Sequence, residues 1–164
     1  MTTATQSLTA DDVGRRVLKL IDSIQGAKDI APAHIEQTTG IKVDIWSEDQ
    51  SKYGFNGKLS DVWYYGLRSM PADKPGDKPS SLLFSFSDND DDKSDPSAVC
   101  LKFKDYSQAL TAAGFAGKPV QGYRGVDSWY FTRGNVAVTA YVFGKGDPDA
   151  PGACLSQLII SAQA

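Results

Sequence analysis

The chain has a single histidine, two cysteines and two glutamates among its twenty acidic residues, and no apolar run of even signal-peptide length in 164 residues. With His34 as the sole imidazole, no Ser-His-Asp set, Cys-His pair or HExxH zinc helix can be assembled. Neither a GxSxG elbow nor a phosphate-cradling glycine loop is present. The cysteines lack a CxxC spacing, a neighbouring histidine and a third ligand, which excludes zinc and thioredoxin-type chemistry. The missing apolar run leaves nothing that spans or enters a membrane. There is no block of Lys or Arg, and a net charge of -3 argues against a phosphate-tracking surface, so nucleic acid is excluded as a partner.

The acids that are present are informative. Only Glu36 and Glu48 are glutamates, and the remainder are aspartates, which compete with the helix backbone for hydrogen bonds and favour turns. The chain therefore reads as strand-rich. An apolar fraction of 41%, with seven Tyr, seven Phe and three Trp, gives it a packed core. The opening MTTATQSLTADD is short, polar and Thr-rich, as a mature chain looks when an initiator Met replaces its export signal, and it reads as a frayed tail. In an oxidising compartment Cys100 and Cys154 would pair and close a loop of about 50 residues, for roughly 3 to 4 kcal/mol; the alternative is two buried free thiols.

The spacing predicts a helix over LTADDVGRRVLKLIDSIQGAKD. Val13, Val17, Leu20, Ile21 and Ile24 form its buried stripe, Thr9 and Asp12 its cap and Gly26 its stop. APAHIEQTTG is a second, short helix with Pro32 in its first turn and Gly40 after its last, and KDYSQALTAAG a third, capped by Asp105 and ended by Gly114. IKVDIW, KYGFNG, DVWYYGLRSM and SLLFSFS read as strands, the last two separated by the Pro-rich loop PADKPGDKPSS. KPVQGYRG, DSWYFTRG, NVAVTAYVF and ACLSQLIIS follow, with GKGDPDAPG as a second such loop.

The same order thus occurs twice: a short helix ending in Gly, then strands, then a Pro-rich loop, then a last strand. The expected organisation is one compact α+β domain, a mainly antiparallel sheet with helices on one face. It comprises a tail and amphipathic helix over 1–27, a first unit with an acidic joint over 28–103, and a second unit over 104–164. The joint carries five aspartates from Asp88 to Asp95. Asp88, Asp90 and Asp92 match the first places of a calcium loop, but Lys93 and Val99 stand where glycine and glutamate are required, so a solvated loop is the expectation and no cofactor or metal is assigned.

His34 is expected to be an exposed helix residue. A two-carboxylate hydrolase site could use Glu36 or Glu48 with Asp44, Asp49 or Asp127, but no spacing selects such a pair. The chain is read as a non-enzyme. The stronger signal is aromatic: period-two alternation puts Tyr64 opposite Trp63 and Tyr65, Tyr130 and Thr132 opposite Trp129 and Phe131, and Ala137, Thr139, Tyr141 and Phe143 opposite Val136, Val138, Ala140 and Val142. If helices cover one face, the other presents tyrosines to a partner. Tyr64, Tyr130 and Tyr141 are the expected anchors. Lys74, Asp77 and Lys78 of the first loop and Asp147 and Asp149 of the second would supply charge complementarity along a shared edge.

A tandem order of helix then four strands resembles that of the β-lactamase inhibitory proteins over residues 28–164. That resemblance implies two units forming one long curved sheet that grips a partner on its concave face. The short motif those proteins carry at the start of each repeat's helix is absent, DIAPAH and KDYSQA standing there, so no binding residue carries over. Size, acidic pI, paired cysteines and aromatic strands are also similar to those of the small exported immunity proteins with which Gram-negative bacteria neutralise toxins. The expected function is that of a periplasmic or secreted inhibitor or immunity protein whose partner is another protein. The alternatives are an envelope structural domain, tethered by a lipid anchor in the full-length gene product, and a carbohydrate-binding module or small hydrolase.

Overall fold

A computed structural model describes residues 8–89 and 94–163. Helix α1 (Ala10–Ser23) starts at a capping box: Thr9 Oγ1 accepts from the Asp12 amide and Asp12 Oδ2 from the Thr9 amide, each at 3.1 Å. Val13, Val17, Leu20, Ile21 and Ile24 are all fully buried, the stripe expected from their spacing. The helix does not run on to Gly26. Ile24 already turns extended at φ -82, ψ 125, because burying its side chain takes precedence over continuing the helix. Helix α2 (Pro32–Thr39) has Pro32 in its first turn and Gly40 at φ 71 after its last, a left-handed position that suits glycine. Helix α3 (Phe103–Ala112) begins three residues earlier than Asp105 would have it as cap. Phe103 and Tyr106 are buried and the Phe103 amide bonds Ala153 O at 3.0 Å, so tertiary packing sets the start and Asp105 lies in the first turn.

The strands are β1 (Asp44–Ile45), β2 (Tyr53–Lys58), β3 (Trp63–Ser69), β4 (Ser81–Asp88), β5 (Ala116–Gly122), β6 (Gly125–Arg133), β7 (Val136–Val142) and β8 (Leu155–Ala162). IKVDIW yields only the exposed two-residue β1: Ile41 and Val43 pack against the core ahead of it, while Ile45 and Trp46 stay exposed. All pair antiparallel in one sheet ordered β1-β2-β3-β4-β8-β7-β6-β5. The architecture is α+β, and the order reads outward symmetrically from the central β4–β8 pair. Alternate residues of every long strand except the edge strand β5, among them Phe55, Leu67, Phe84, Phe131, Val138 and Leu158, join the helix stripe in a single core. Buried hydroxyls are bonded: Tyr53 donates to Ile30 O at 3.1 Å and Tyr106 to Gly14 O at 3.2 Å. Burial raises the phenol of Tyr53 to about 12 and pushes that of Tyr106 up as well.

Two polar devices fasten the layers. Arg133, at the end of β6, donates to Asp22 Oδ1 at 2.8 Å, to Asp22 O and Ala113 O at 2.9 Å, and to Ile24 O at 3.2 Å. It thereby satisfies carbonyls at the ends of both α1 and α3, where the helix dipole favours a cation, while lying over the Phe115 ring at 4.6 Å. Cys100 and Cys154 form a disulfide, Cα atoms 4.9 Å apart, that pins the segment before α3 to the start of β8 across 54 residues. Beside it the Leu155 amide bonds Leu101 O at 2.8 Å.

Replacing Arg133 by Met is expected to lower unfolding free energy by about 2 to 3 kcal/mol in urea titrations, the range for losing charged hydrogen bonds that are only partly re-solvated. A change below about 0.5 kcal/mol would show that water serves those carbonyls equally well. The Cys100→Ser/Cys154→Ser double variant should lose about 4 kcal/mol by the loop-closure relation, with an unchanged far-UV spectrum at low denaturant.

Candidate protein-binding face

The alternation that builds the core leaves a second face of the sheet without helices, and the strand register assembles it into rows. One row crosses the sheet through consecutive pairs: Lys118 on β5, Tyr130 on β6, Thr139 on β7, Ile159 on β8, Leu83 on β4, Arg68 on β3 and Gly54 on β2. A parallel row holds Tyr141, Gln157, Ser85, Gly66 and Asn56. Leu83, Ile159, Tyr130 and Tyr141 are half-buried, so their apolar surface is held upright by neighbours and remains accessible. Lys118 Nζ lies 5.8 Å from the centre of the Tyr130 ring, which steadies that ring at the sheet margin.

Each expected anchor lies on this face. Tyr130 pairs with Thr139, making Tyr141 its diagonal neighbour at about 7 Å. Tyr64 pairs with Ser87 on the far side of the centre, three strand spacings or about 14 Å from β7. Phe143, expected beside Tyr141, does not belong here. The register slips at Tyr141/Val142, the chain turns, and Phe143 packs edge-on against the buried Trp63 at 5.5 Å. Trp129 likewise packs on Phe103 of the helix layer, at 5.7 Å.

The charged loops depart from expectation. Both contain a Pro-Gly turn of type II pattern. In Lys74-Pro75-Gly76-Asp77 the Asp77 amide bonds Lys74 O at 3.2 Å with Gly76 at φ 88; in Ala150-Pro151-Gly152-Ala153 the Ala153 amide bonds Ala150 O at 3.2 Å with Gly152 at φ 74. They do not form one edge. The first loop leads into the start of β4 and the second into the start of β8, and those strands are antiparallel, Ser81 facing Ser161. Lys74, Asp77 and Lys78 therefore stand at one end of the sheet and Asp147 and Asp149 at the other. Two copies of a unit joined through antiparallel last strands must point their loops in opposite directions.

At the first end the loop, the β1–β2 turn and the start of α2 enclose a cleft of about 780 Å³. It is lined by Lys74, Asp77 and Lys78 together with Lys52, Arg68 and the half-exposed Trp46. At the other end β6 pairs with β7 only from Trp129 onward, so the β5–β6 ribbon overhangs and carries Tyr123 fully exposed at its tip.

Of the residues weighed for catalysis, His34, Glu36 and Asp49 are occupied locally. His34 is half-buried rather than exposed: its Nε2 lies 2.8 Å from Ser23 Oγ, whose own proton goes to Leu20 O at 2.6 Å, so the imidazole donates and ties α2 to α1. Glu36 accepts from the Val43 amide at 2.9 Å. Asp49 Oδ1 accepts from Ser47 Oγ and Ser51 Oγ at 2.7 Å and from the Ser51 amide at 3.1 Å, holding its carboxyl down to about 2. Among the described residues no group of three or more His, Cys, Asp or Glu could hold a metal ion. Of the calcium reading, Asp90 and Asp92 lie outside the described residues. No helix among the described residues is long and apolar enough to cross a membrane, which says nothing of strand-built spans.

Leu83, Ile159 and Arg68 were absent from the expected site: Arg68 shares the period-two phase of a named residue, following Tyr64 by four along β3, whereas no residue of β4 or β8 was named. No local signal marks Trp46 or Lys52, which reach the cleft through tertiary packing. No family model, curated protein or solved structure matches this chain.

Because the folded Asp49 carboxyl is depressed from 3.8, its hydrogen bonds stabilise the β1–β2 turn above that value and are lost as pH falls through about 2. Carboxyl carbon shifts should give a midpoint near 2 for Asp49, and the Ser47→Ala/Ser51→Ala variant should return it to the ordinary range.

Proposed function

We propose that this chain is an exported protein-binding protein that acts as an inhibitor or immunity factor, covering a functional surface of one partner with the helix-free face of its sheet. The observation that carries this reading is the asymmetry of the sheet: one face is sealed by the helix layer, while the other aligns Tyr130, Ile159 and Leu83 between Lys118 and Arg68. Tyrosine offers rigid area with a polar tip, and an apolar centre rimmed by charge is the composition of interfaces that exclude water. The seven strands other than the two-residue β1, at about 4.8 Å spacing and lengths near 20 Å, give a face of roughly 700 Å², the scale of one side of a standard interface. The disulfide supports an oxidising, periplasmic or secreted setting. The occupied His34, Glu36 and Asp49 fit a non-catalytic role.

Affinity capture tests this directly. The oxidised protein is immobilised, envelope and secreted extract of the source organism is passed over it, and a Tyr130→Ala/Tyr141→Ala control is run beside it. One enzyme or toxin should be held by the wild type, with binding to the double variant weakened by more than about 2 kcal/mol, some thirtyfold, at unchanged thermal stability. If no protein is retained at micromolar bait, or the double variant holds it equally well, the open face is not the contact surface.

A further inference from the structure

The cleft at the first end of the sheet differs from the rest of the surface. Lys52, Arg68, Lys74 and Lys78 line it against two carboxylates, Asp49 and Asp77, in a chain whose net charge is -3. Among the described residues none of these four cations is within ion-pair distance of a carboxylate. Asp49 is committed to its turn, with three donors on one oxygen. By contrast the smaller hollow of about 350 Å³ beside the disulfide is balanced, Arg15 and Lys102 facing Asp11 and Asp105.

The cleft is also shaped. Pro71, Pro75 and Pro79 stiffen one wall, Trp46 stands half-exposed on another, and Gln50 in the turn between them takes a left-handed φ of 61, a conformation that costs a non-glycine residue energy and needs support from its surroundings. A volume of about 780 Å³ lies within the range that encloses a ligand of several residues or rings.

From these observations we propose that the cleft is a second docking site, for an acidic peptide segment with an apolar side chain among its carboxylates. The carboxylates would be met by Lys52, Arg68, Lys74 and Lys78, and the apolar side chain by Trp46 and the proline wall. The proposal rests on the reading of the chain as a protein-binding protein and specifies the partner: the cleft opens at Arg68, which is a member of the Tyr130–Ile159–Leu83 row, so one molecule can lie on the face and run its acidic segment into the cleft. Charge steering at this end would set the association rate and its salt dependence.

The test uses the full oxidised chain and a fluorescein-labelled peptide of sequence Glu-Leu-Glu-Glu-Leu-Glu, followed by anisotropy and by indole emission. Binding should weaken severalfold between about 50 and about 300 mM salt and by about tenfold or more in Lys74→Gln/Lys78→Gln, two exposed loop positions. Trp46→Phe should abolish the emission change, and Tyr130→Ala/Tyr141→Ala should leave peptide affinity unaltered. No binding at millimolar peptide, equal affinity in the lysine variant, or preference for an oligogalacturonate of equal charge would overturn the proposal. Peptide binding without any captured protein would uphold the cleft and remove the face reading. A captured partner indifferent to both peptide competition and Lys74→Gln/Lys78→Gln would do the reverse.

Discussion

The antiparallel pairing of β4 with β8 is the constraint on which everything else depends. Ser81 to Ser85 face Ser161 to Gln157, and through this short ladder two four-stranded halves become one eight-stranded sheet. Because side chains alternate, a slip of one residue here would turn β4 over relative to β8, bringing Leu83 and Ser85 to the core side in place of Leu82 and Phe84 while Ile160 stayed there. The pairing thus aligns the core-facing residues of both halves under one helix layer, and the same alignment makes the opposite rows continuous. It also reverses one half relative to the other. The cationic cleft and the acidic loop of Asp147 and Asp149 stand at opposite ends for that reason.

A sheet of this width needs its helices held in place, and arginine does that work. Arg133 gathers the ends of α1 and α3, and Arg16 donates to Thr39 O at 2.7 Å at the end of α2. Carbonyls at helix ends carry partial negative charge, and a guanidinium presents several donors in a fixed fork, so Arg133 serves several orphan acceptors at once, while Arg16 serves one. The helices are fixed on one side only. The exposed face is then a consequence of where the amphipathic segments lie in the chain, all before or between strands whose connections return to the same side.

Much of this was legible from local pattern. The stripe Val13–Ile24, the Thr9/Asp12 cap, Pro32 and Gly40 and the alternation in NVAVTAYV are signals carried within short windows and correspond to what forms, and the pairing of Cys100 with Cys154 follows from there being two cysteines. What was not legible depends on distant partners. Asp105 loses the cap of α3 because Phe103 is already drawn into the core; Gly26 does not stop α1 because Ile24 must bury; Phe143 leaves the open face because a register slip sends it to Trp63. The shared edge expected of the two loops failed for a topological reason: sequence order shows that a unit recurs but not whether its copies join parallel or antiparallel. The cleft was invisible for the same cause, its walls coming from three separate segments.

One face of the sheet makes the fold, and in the proposed function the other meets the partner. Hydroxyl-radical footprinting of side chains, with and without the captured partner, reads both faces in one experiment. The account predicts that Tyr130, Tyr141, Leu83 and Ile159 lose reactivity together on complex formation while Leu18 and Lys19 on α1 keep theirs. Protection confined to the helix layer, with the Tyr130–Leu83 row as reactive as in the free chain, would contradict it.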